Sequence, residues 1–165
     1  MTHRQAVSSR LRLRQAEADD CTAIRGLLVA LGYEAGGGDD LPDLLRAALA
    51  RPDFATFLAL DQDDPRGTPL GLIQLSQRPQ LHLGGTLVSI DALTVLPEAL
   101  GMRVGRRLLR RARAYARLHR AVRIEVHTTR TRENYRRGFY PANGYCEADS
   151  ALFRLERAQI LASKR

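Results

Sequence analysis

With 165 residues, 18.4 kDa and 44% hydrophobic residues, the chain is long enough for one domain with a buried core. No apolar run approaches the roughly 18–20 residues that span a bilayer, so no membrane partner is expected. The formal charge of +8 is almost all arginine, and thirteen arginines between Arg103 and Arg137 face only two acids, Glu125 and Glu133.

The N-terminal run MTHRQAVSSRLRLR lacks the apolar stretch of a signal peptide, and a cytoplasmic location is the expectation. Residues 1–9 carry no periodicity and read as a loose tail, with a single domain over 10–165. Two cysteines, Cys21 and Cys146, are too few for a disulfide framework or a metal cluster. They read as small buried residues, and no metal is expected.

Leu11 to Arg14 alternates as a strand. Glu17 to Gly32 reads as a helix with Asp19 and Asp20 in its first turn, Ile24, Leu27, Leu28 and Leu31 on one face, and Gly32 as its stop. Gly36–Gly38 is a flexible connection to a second helix, Leu41 to Ala50, closed by Arg51-Pro52. Strands follow at Ala55–Leu60, Leu70–Gln77, which Leu81–Leu83 extends, and Leu87–Val95, as an antiparallel meander. Arg103 to His119 is a long amphipathic helix. Gly105, Leu108, Ala112, Tyr115 and His119 share one face, and Arg106, Arg110, Arg113, Arg117 and Arg120 form the opposite stripe. Val122–His127 is a strand, Arg132–Tyr140 a short helix, and Tyr145–Leu155 a closing strand region. Alternating elements without a repeat indicate an α/β fold with a sheet of mixed direction. Leu87–Val95 and Val122–His127 form its parallel pair, joined by the arginine helix as a right-handed crossover.

The junction between the third meander strand and that helix carries chemistry. Leu96-Pro97-Glu98 leads into Gly101-Met102-Arg103-Val104-Gly105, which opens on the helix. The first N–H groups of a helix lack internal partners and sit at the positive end of its dipole, so this turn suits an anion such as a pyrophosphate. The loop is neither a Walker loop nor a dinucleotide fingerprint, since Gly-Lys-Ser/Thr and the G-x-G-x-x-G spacing are both missing. Downstream stands Phe139-Tyr140-Pro141-Ala142-Asn143-Gly144-Tyr145.

Strand–PE–loop–helix followed by strand–helix–FYxxxGY resembles the GNAT superfamily of acetyl-CoA-dependent N-acetyltransferases, over residues 10 to 155. The resemblance implies a mostly antiparallel sheet, helices on both faces and one splayed parallel pair. It implies acetyl-CoA as co-substrate and an amine acceptor, small molecule or peptide, attacked directly within a ternary complex. It assigns pantetheine pairing to Leu93, Thr94 and Val95, with the Val95 N–H as donor to the thioester carbonyl. It assigns the pyrophosphate to backbone groups around Gly101, Met102, Arg103, Val104, Gly105 and Arg106. Tyr140 matches the tyrosine that protonates the departing sulfur; otherwise it is a core aromatic. A phenol with a pKa near 10 suits a thiolate of slightly lower pKa. Tyr33 and Glu34 fall where the family builds its acceptor pocket, and relatives are often dimers.

This sequence departs from the family pattern at Leu100, usually Arg or Gln, and at Arg103, usually the first motif glycine, while Gly105 is in place. The family's Asn or Arg falls on Glu133, with Asn134 one residue off, and its small residue on Arg136.

Asp91 lies inside an apolar strand, where an unpaired carboxylate is costly to bury. It serves either to take a proton from a cationic amine through water or to pair with an arginine. His127, at the end of the next strand, is a second candidate base on the acceptor side, or else a structural histidine. An acyl-CoA-binding regulatory module without turnover is the alternative function, with a basic nucleic-acid-binding protein as the less favoured one. Nucleic acid is not the expected partner, since only Tyr115 and Tyr135 interleave the basic segment and base stacking needs aromatics.

Overall fold

In the computed structural model, which describes residues 10–33 and 38–162, five strands form one open sheet in chain order. They are β1 (Leu11–Gln15), β2 (Phe54–Asp61), β3 (Pro69–Gln80), β4 (Gly85–Val95) and β5 (Ala121–Val126). The first three pairings are antiparallel and β4–β5 is parallel. A parallel pair needs a crossover long enough to return the chain to the starting end. Helix α3 (Val104–Leu118) supplies it. The mixed, mostly antiparallel sheet is therefore the one expected. The tail over 1–9, together with Glu34, Gly36 and Gly37, lies outside the described residues.

Both faces of the sheet are covered. Helices α1 (Cys21–Ala30) and α2 (Leu41–Leu49) bury Ile24, Leu27 and Leu45 with Leu58, Leu60, Leu72 and Ala92. On the alternate strand positions, α3 packs Tyr115 edge-on to Phe57 and seats Val104 and Leu108 over Gly71. Burial on two sides explains why Ala55–Leu60 is apolar apart from Thr56 rather than alternating. In α3 the periodicity holds: Leu108, Leu109, Ala112, Tyr115 and Ala116 are buried, and Arg106, Arg110, Arg113 and Arg117 are exposed.

The start of α1 differs from the expected Glu17. Ala18–Asp20 forms a 3-10 turn first, because Asp20 accepts the Glu17 N–H at 2.8 Å and two Arg14 hydrogen bonds at 2.6 Å. Its end follows expectation. Gly32, at φ 99, donates to Val29, and Tyr33 donates back to Leu28 at 3.1 Å, a closure that needs a residue tolerant of positive φ.

The chain divides into two compact units, Met1–Thr128 and Thr129–Arg165. In the second, the expected helix over Arg132–Tyr140 shortens to one turn, α4 (Glu133–Arg136), since Gly138 at φ 64 turns the chain out of the helix. The expected closing strand over Tyr145–Leu155 is absent. That segment has no ladder partner, Ser150 N–H turns back onto Ala148, and Leu152, Phe153 and Leu155 are exposed ahead of α5 (Arg157–Ala162). Leu81–Leu83 is a 3-10 turn rather than an extension of β3, bent by Gly84 at φ 64. Of the two cysteines expected to be buried, Cys21 is only half-buried, packed against the core, and Cys146 is exposed.

Candidate active site

Strand β4 changes character midway. Its ladder with β5 runs from Thr86 opposite Ala121 to Ile90 opposite Val126 and stops there. From Ala92 to Val95 it continues to pair with β3, Val95 opposite Gly71 and Thr94 opposite Leu72. Among the described residues, no strand pairs with the other edge of this stretch. Leu96 donates its N–H to Leu70 at 2.9 Å, on the β3 side. Peptide groups alternate sides along a strand, so Val95, and Leu93 before it, direct N–H and C=O to the unpaired side. The stretch Leu93–Val95 thus offers backbone hydrogen bonds to a ligand in the parting between β4 and β5.

The break in pairing has a local cause. On the β3 side Ile90 faces Leu75 and Ala92 faces Gln74, which leaves Asp91 as an extra residue in a β-bulge. A bulge bends its strand and re-aims the side chain at that point. Asp91, which the sequence sets inside an apolar strand, is accordingly exposed between buried neighbours rather than held in the core. A solvated carboxylate carries no burial cost there and can meet a cationic group from solution.

Beyond β4, Pro97–Ala99 makes a 3-10 turn and Gly101 takes φ 84. Arg103, the last residue before α3, takes φ 62, a left-handed conformation that L side chains rarely adopt. This is the position where the sequence carries arginine in place of the motif glycine, and the backbone keeps the glycine-like turn regardless. Helix pairing begins with the Arg107 N–H on Arg103 O at 3.0 Å, and no side chain caps the start. The N–H groups of Val104, Gly105 and Arg106 are therefore the open donors at the positive end of α3. The Met102 N–H is used on Ala99 O at 3.2 Å, which takes it out of this set. Gly71 lies beneath. A Cβ there would come 2.7 Å from Thr94 O and 3.0 Å from Val104, so the missing side chain lets the helix start sit close to the strand end.

His127, just past β5, is exposed. Tyr33 is 53% exposed after the Gly32 closure, and Glu34 lies outside the described residues.

The second unit holds Tyr140 and Asn134. Tyr140 is buried, its ring 5.3 Å from Phe139 and 6.1 Å from Tyr145. The turn that fixes it is built from its own motif. Asn143 and Tyr145 donate their N–H groups to Tyr140 O, the Asn143 side chain donates to Phe139 O at 2.7 Å, and Gly144 closes the turn at φ 79. Asn134 Oδ1 is buried without a hydrogen-bond partner, a state that a ligand donor would relieve. Arg130 and Tyr135 both donate to Glu147, at 2.8 and 2.9 Å. That bond pushes the Tyr135 phenol up and holds the Glu147 carboxyl down. Sequence reasoning missed this cluster, whose members lie too far apart in the chain to suggest each other. Among the described residues no group of His, Cys, Asp and Glu could hold a metal ion, and no helix is long and apolar enough to cross a membrane.

Solved structures share this fold. The chain superposes on a Trypanosoma brucei acetyltransferase with a TM-score of 0.69 and 22% identity, over 88% of this chain and 99% of that one. For the aminoglycoside N-acetyltransferase AAC(6')-Iy, solved with the bisubstrate analogue CoA-S-monomethyl-acetylneamine, the TM-score is 0.72 at 20% identity, over 89% and 98%. A transcriptional regulator from Bacillus halodurans gives 0.76 at 19%, over 88% and 99%. At these identities the likeness speaks to fold alone. No curated protein matches in sequence. Residues 13–145 match the acetyltransferase (GNAT) family, and the chain belongs to that family.

Proposed function

We propose that the protein transfers the acetyl group of acetyl-CoA to a primary amine by direct attack within a ternary complex. The observation that carries this reading is the unpaired edge of β4, where Val95 turns its N–H into the parting beside the open amides of α3. The residues fit acetyl-CoA. Amides of Val104, Gly105 and Arg106 suit a pyrophosphate, and the Leu93–Val95 edge suits an amide-bearing arm; in the second unit the orphaned Asn134 Oδ1 is open to a ligand donor. Arg103 and Arg106 add charge-assisted contacts at the same end. When bound, the co-substrate supplies an acyl thioester.

The chain's residues supply the rest. The Val95 N–H donates to the acyl oxygen and stabilises the charge that grows there as the amine attacks. Asp91 accepts the proton that the amine must lose, through water. The C–S bond breaks as the C–N bond forms, and Tyr140 hands its phenolic proton to the departing sulfur. Asp91 passes the first proton on to solvent, and the second proton, shed as the nitrogen becomes an amide, returns to the Tyr140 phenolate, so both residues are restored. The bound analogue of AAC(6')-Iy, which joins CoA to an acetylated amine, supports acceptors of that kind; small amines, aminoglycosides and peptide N-termini are the candidates.

The test is thermal stability with and without acetyl-CoA, followed by thiol release across an amine panel of those three classes. Stabilisation together with amine-dependent thiol release is the expected result. No stabilisation by acetyl-CoA sinks the reading, and stabilisation without release on any amine favours a non-catalytic acyl-CoA-binding module.

A further inference from the structure

Helix α3 contains no acidic residue between Val104 and Leu118, and its arginines divide by geometry into two groups. Arg107 and Arg111 are tied down: Arg107 Nη1 donates to Leu11 O at 2.5 Å, and the Arg111 guanidinium lies 4.1 Å over the Phe57 ring. Arg106, Arg110, Arg113 and Arg117 face outward and exposed. Elsewhere several arginines pair with acids, among them Arg10 with Asp63, Arg14 with Asp20, Arg46 with Asp43 and Arg51 with Asp53. Arg106, Arg110 and Arg117 make no ion pair among the described residues.

Steps of four, three and four residues place the outward arginines about 6, 4.5 and 6 Å apart along the axis, a row of roughly 16 Å. Toward its C-terminal end the row borders a groove of about 300 Å³, formed by Arg113, Ala116 and Arg117 of α3 with Val122, Arg123 and Ile124 of β5. The groove lies at the opposite end of α3 from the loop at Gly101–Gly105.

We infer that the part of this row away from the loop, Arg110, Arg113 and Arg117, binds the sugar–phosphate backbone of a nucleic acid together with the groove. A regular file of guanidinium groups matches a polymer whose charge also repeats regularly, and each planar fork can hold a phosphate through two hydrogen bonds. An acidic protein surface carries irregularly spaced carboxylates and normally adds aromatic anchors; the row and groove contain no aromatic residue. The scarcity of aromatics, which argues against base stacking, is compatible with this mode, because contacts to phosphate position a protein without reading sequence. The binding is independent of acetyl transfer and of the loop amides.

The probe is fluorescence anisotropy of a labelled duplex DNA and a labelled hairpin RNA, titrated with full-length protein from 50 to 200 mM salt in saturating acetyl-CoA. The natural protein should bind with a steep salt dependence. The triple variant R110Q/R113Q/R117Q should bind at least about 10-fold more weakly at 50 mM salt, with a slope shallower by about 3, near one unit per phosphate contact. Its circular dichroism and its stabilisation by acetyl-CoA should remain unchanged, which separates this site from acetyl transfer. Should the triple variant fail to fold, each single Gln variant is read the same way, with a slope change near one. The inference is overturned by no binding at 50 mM salt, by an unchanged slope in the variants, or by loss of binding when acetyl-CoA is added. Displacement by polyglutamate as effective as by unlabelled duplex also overturns it, in favour of an acidic protein.

Discussion

The Cβ that Gly71 lacks would stand 2.7 Å from the carbonyl oxygen of Thr94 and 3.0 Å from the side chain of Val104. One glycine thus keeps β3, the end of β4 and the first turn of α3 in mutual contact. Gly71→Ala must push backbone aside, and overpacking of this kind costs about 1–3 kcal/mol. The expected outcome is a lower melting temperature and a larger fractional loss of acetyl-CoA affinity than of helix content. Calorimetry and a binding titration check it.

Arg103 at φ 62 gives a second, sharper test. A β-branched residue tolerates this conformation poorly, whereas glycine adopts it freely. Arg103→Val should lower stability by about 1–2 kcal/mol relative to Arg103→Gly, by the usual cost of a left-handed L residue. If backbone amides hold the pyrophosphate, Arg103→Gly should also retain most of the acetyl-CoA affinity. A loss of 100-fold or more would transfer that role to the guanidinium.

The pair Arg14–Asp20 predicts a pH dependence. Hydrogen bonds from Arg14 hold the Asp20 carboxyl below its ordinary range, partial burial opposes this, and the Glu17 N–H adds to the lowering. A folded value below the unfolded one means that the stabilisation is complete above the unfolded pKa, near 4. It fades as pH falls through the lower folded value. Asp20→Asn should therefore cost roughly 2 kcal/mol at pH 7, the scale of a charge-assisted hydrogen bond. The gap from the natural protein should narrow below about pH 4. Urea titrations across pH 2–7 would show it.

Tyr140 and Asp91 are separable by what they leave intact. Tyr140→Phe removes the proton proposed for sulfur while keeping the ring beside Phe139 and Tyr145. Turnover should fall by about 10²–10⁴, the range of acid–base assistance, with acetyl-CoA affinity nearly unchanged. Asp91→Asn should reduce turnover most at low pH, where the amine is mostly protonated. Full activity in either variant removes that residue from its role.

Much of this was legible in the chain, for reasons that differ element by element. The stripes of α3 follow from a 3.6-residue period, and Gly32 ends α1 through a backbone requirement visible in one residue. The parallel partner of β4 follows from an intervening helix long enough to cross over. The bulge at Asp91 was not legible, because it arises from the register between β4 and Gln74–Leu75 rather than from either strand alone. A single extra residue there turned an expected buried acid into an exposed one. The segment from Tyr145 to Leu155 has a strand's composition but no ladder partner, and composition alone does not supply hydrogen bonds. For the candidate site, the resemblance assigns Tyr140 and the loop their roles, while the sidedness of Val95 required the Leu96–Leu70 bond.

The parting of β4 from β5 makes the sheet one strand narrower past Ile90 than before it. Whatever lies along Leu93–Val95 occupies the place of that missing strand, so the ligand is itself a structural member while it is bound. Amide protons at Leu93 and Val95 should then exchange with solvent as fast as those of an edge in the free protein and slow markedly on saturation. Under the proposed acetyl transfer, each release of product would return the sheet to its gapped form and so tie the local rigidity of this edge to the catalytic cycle.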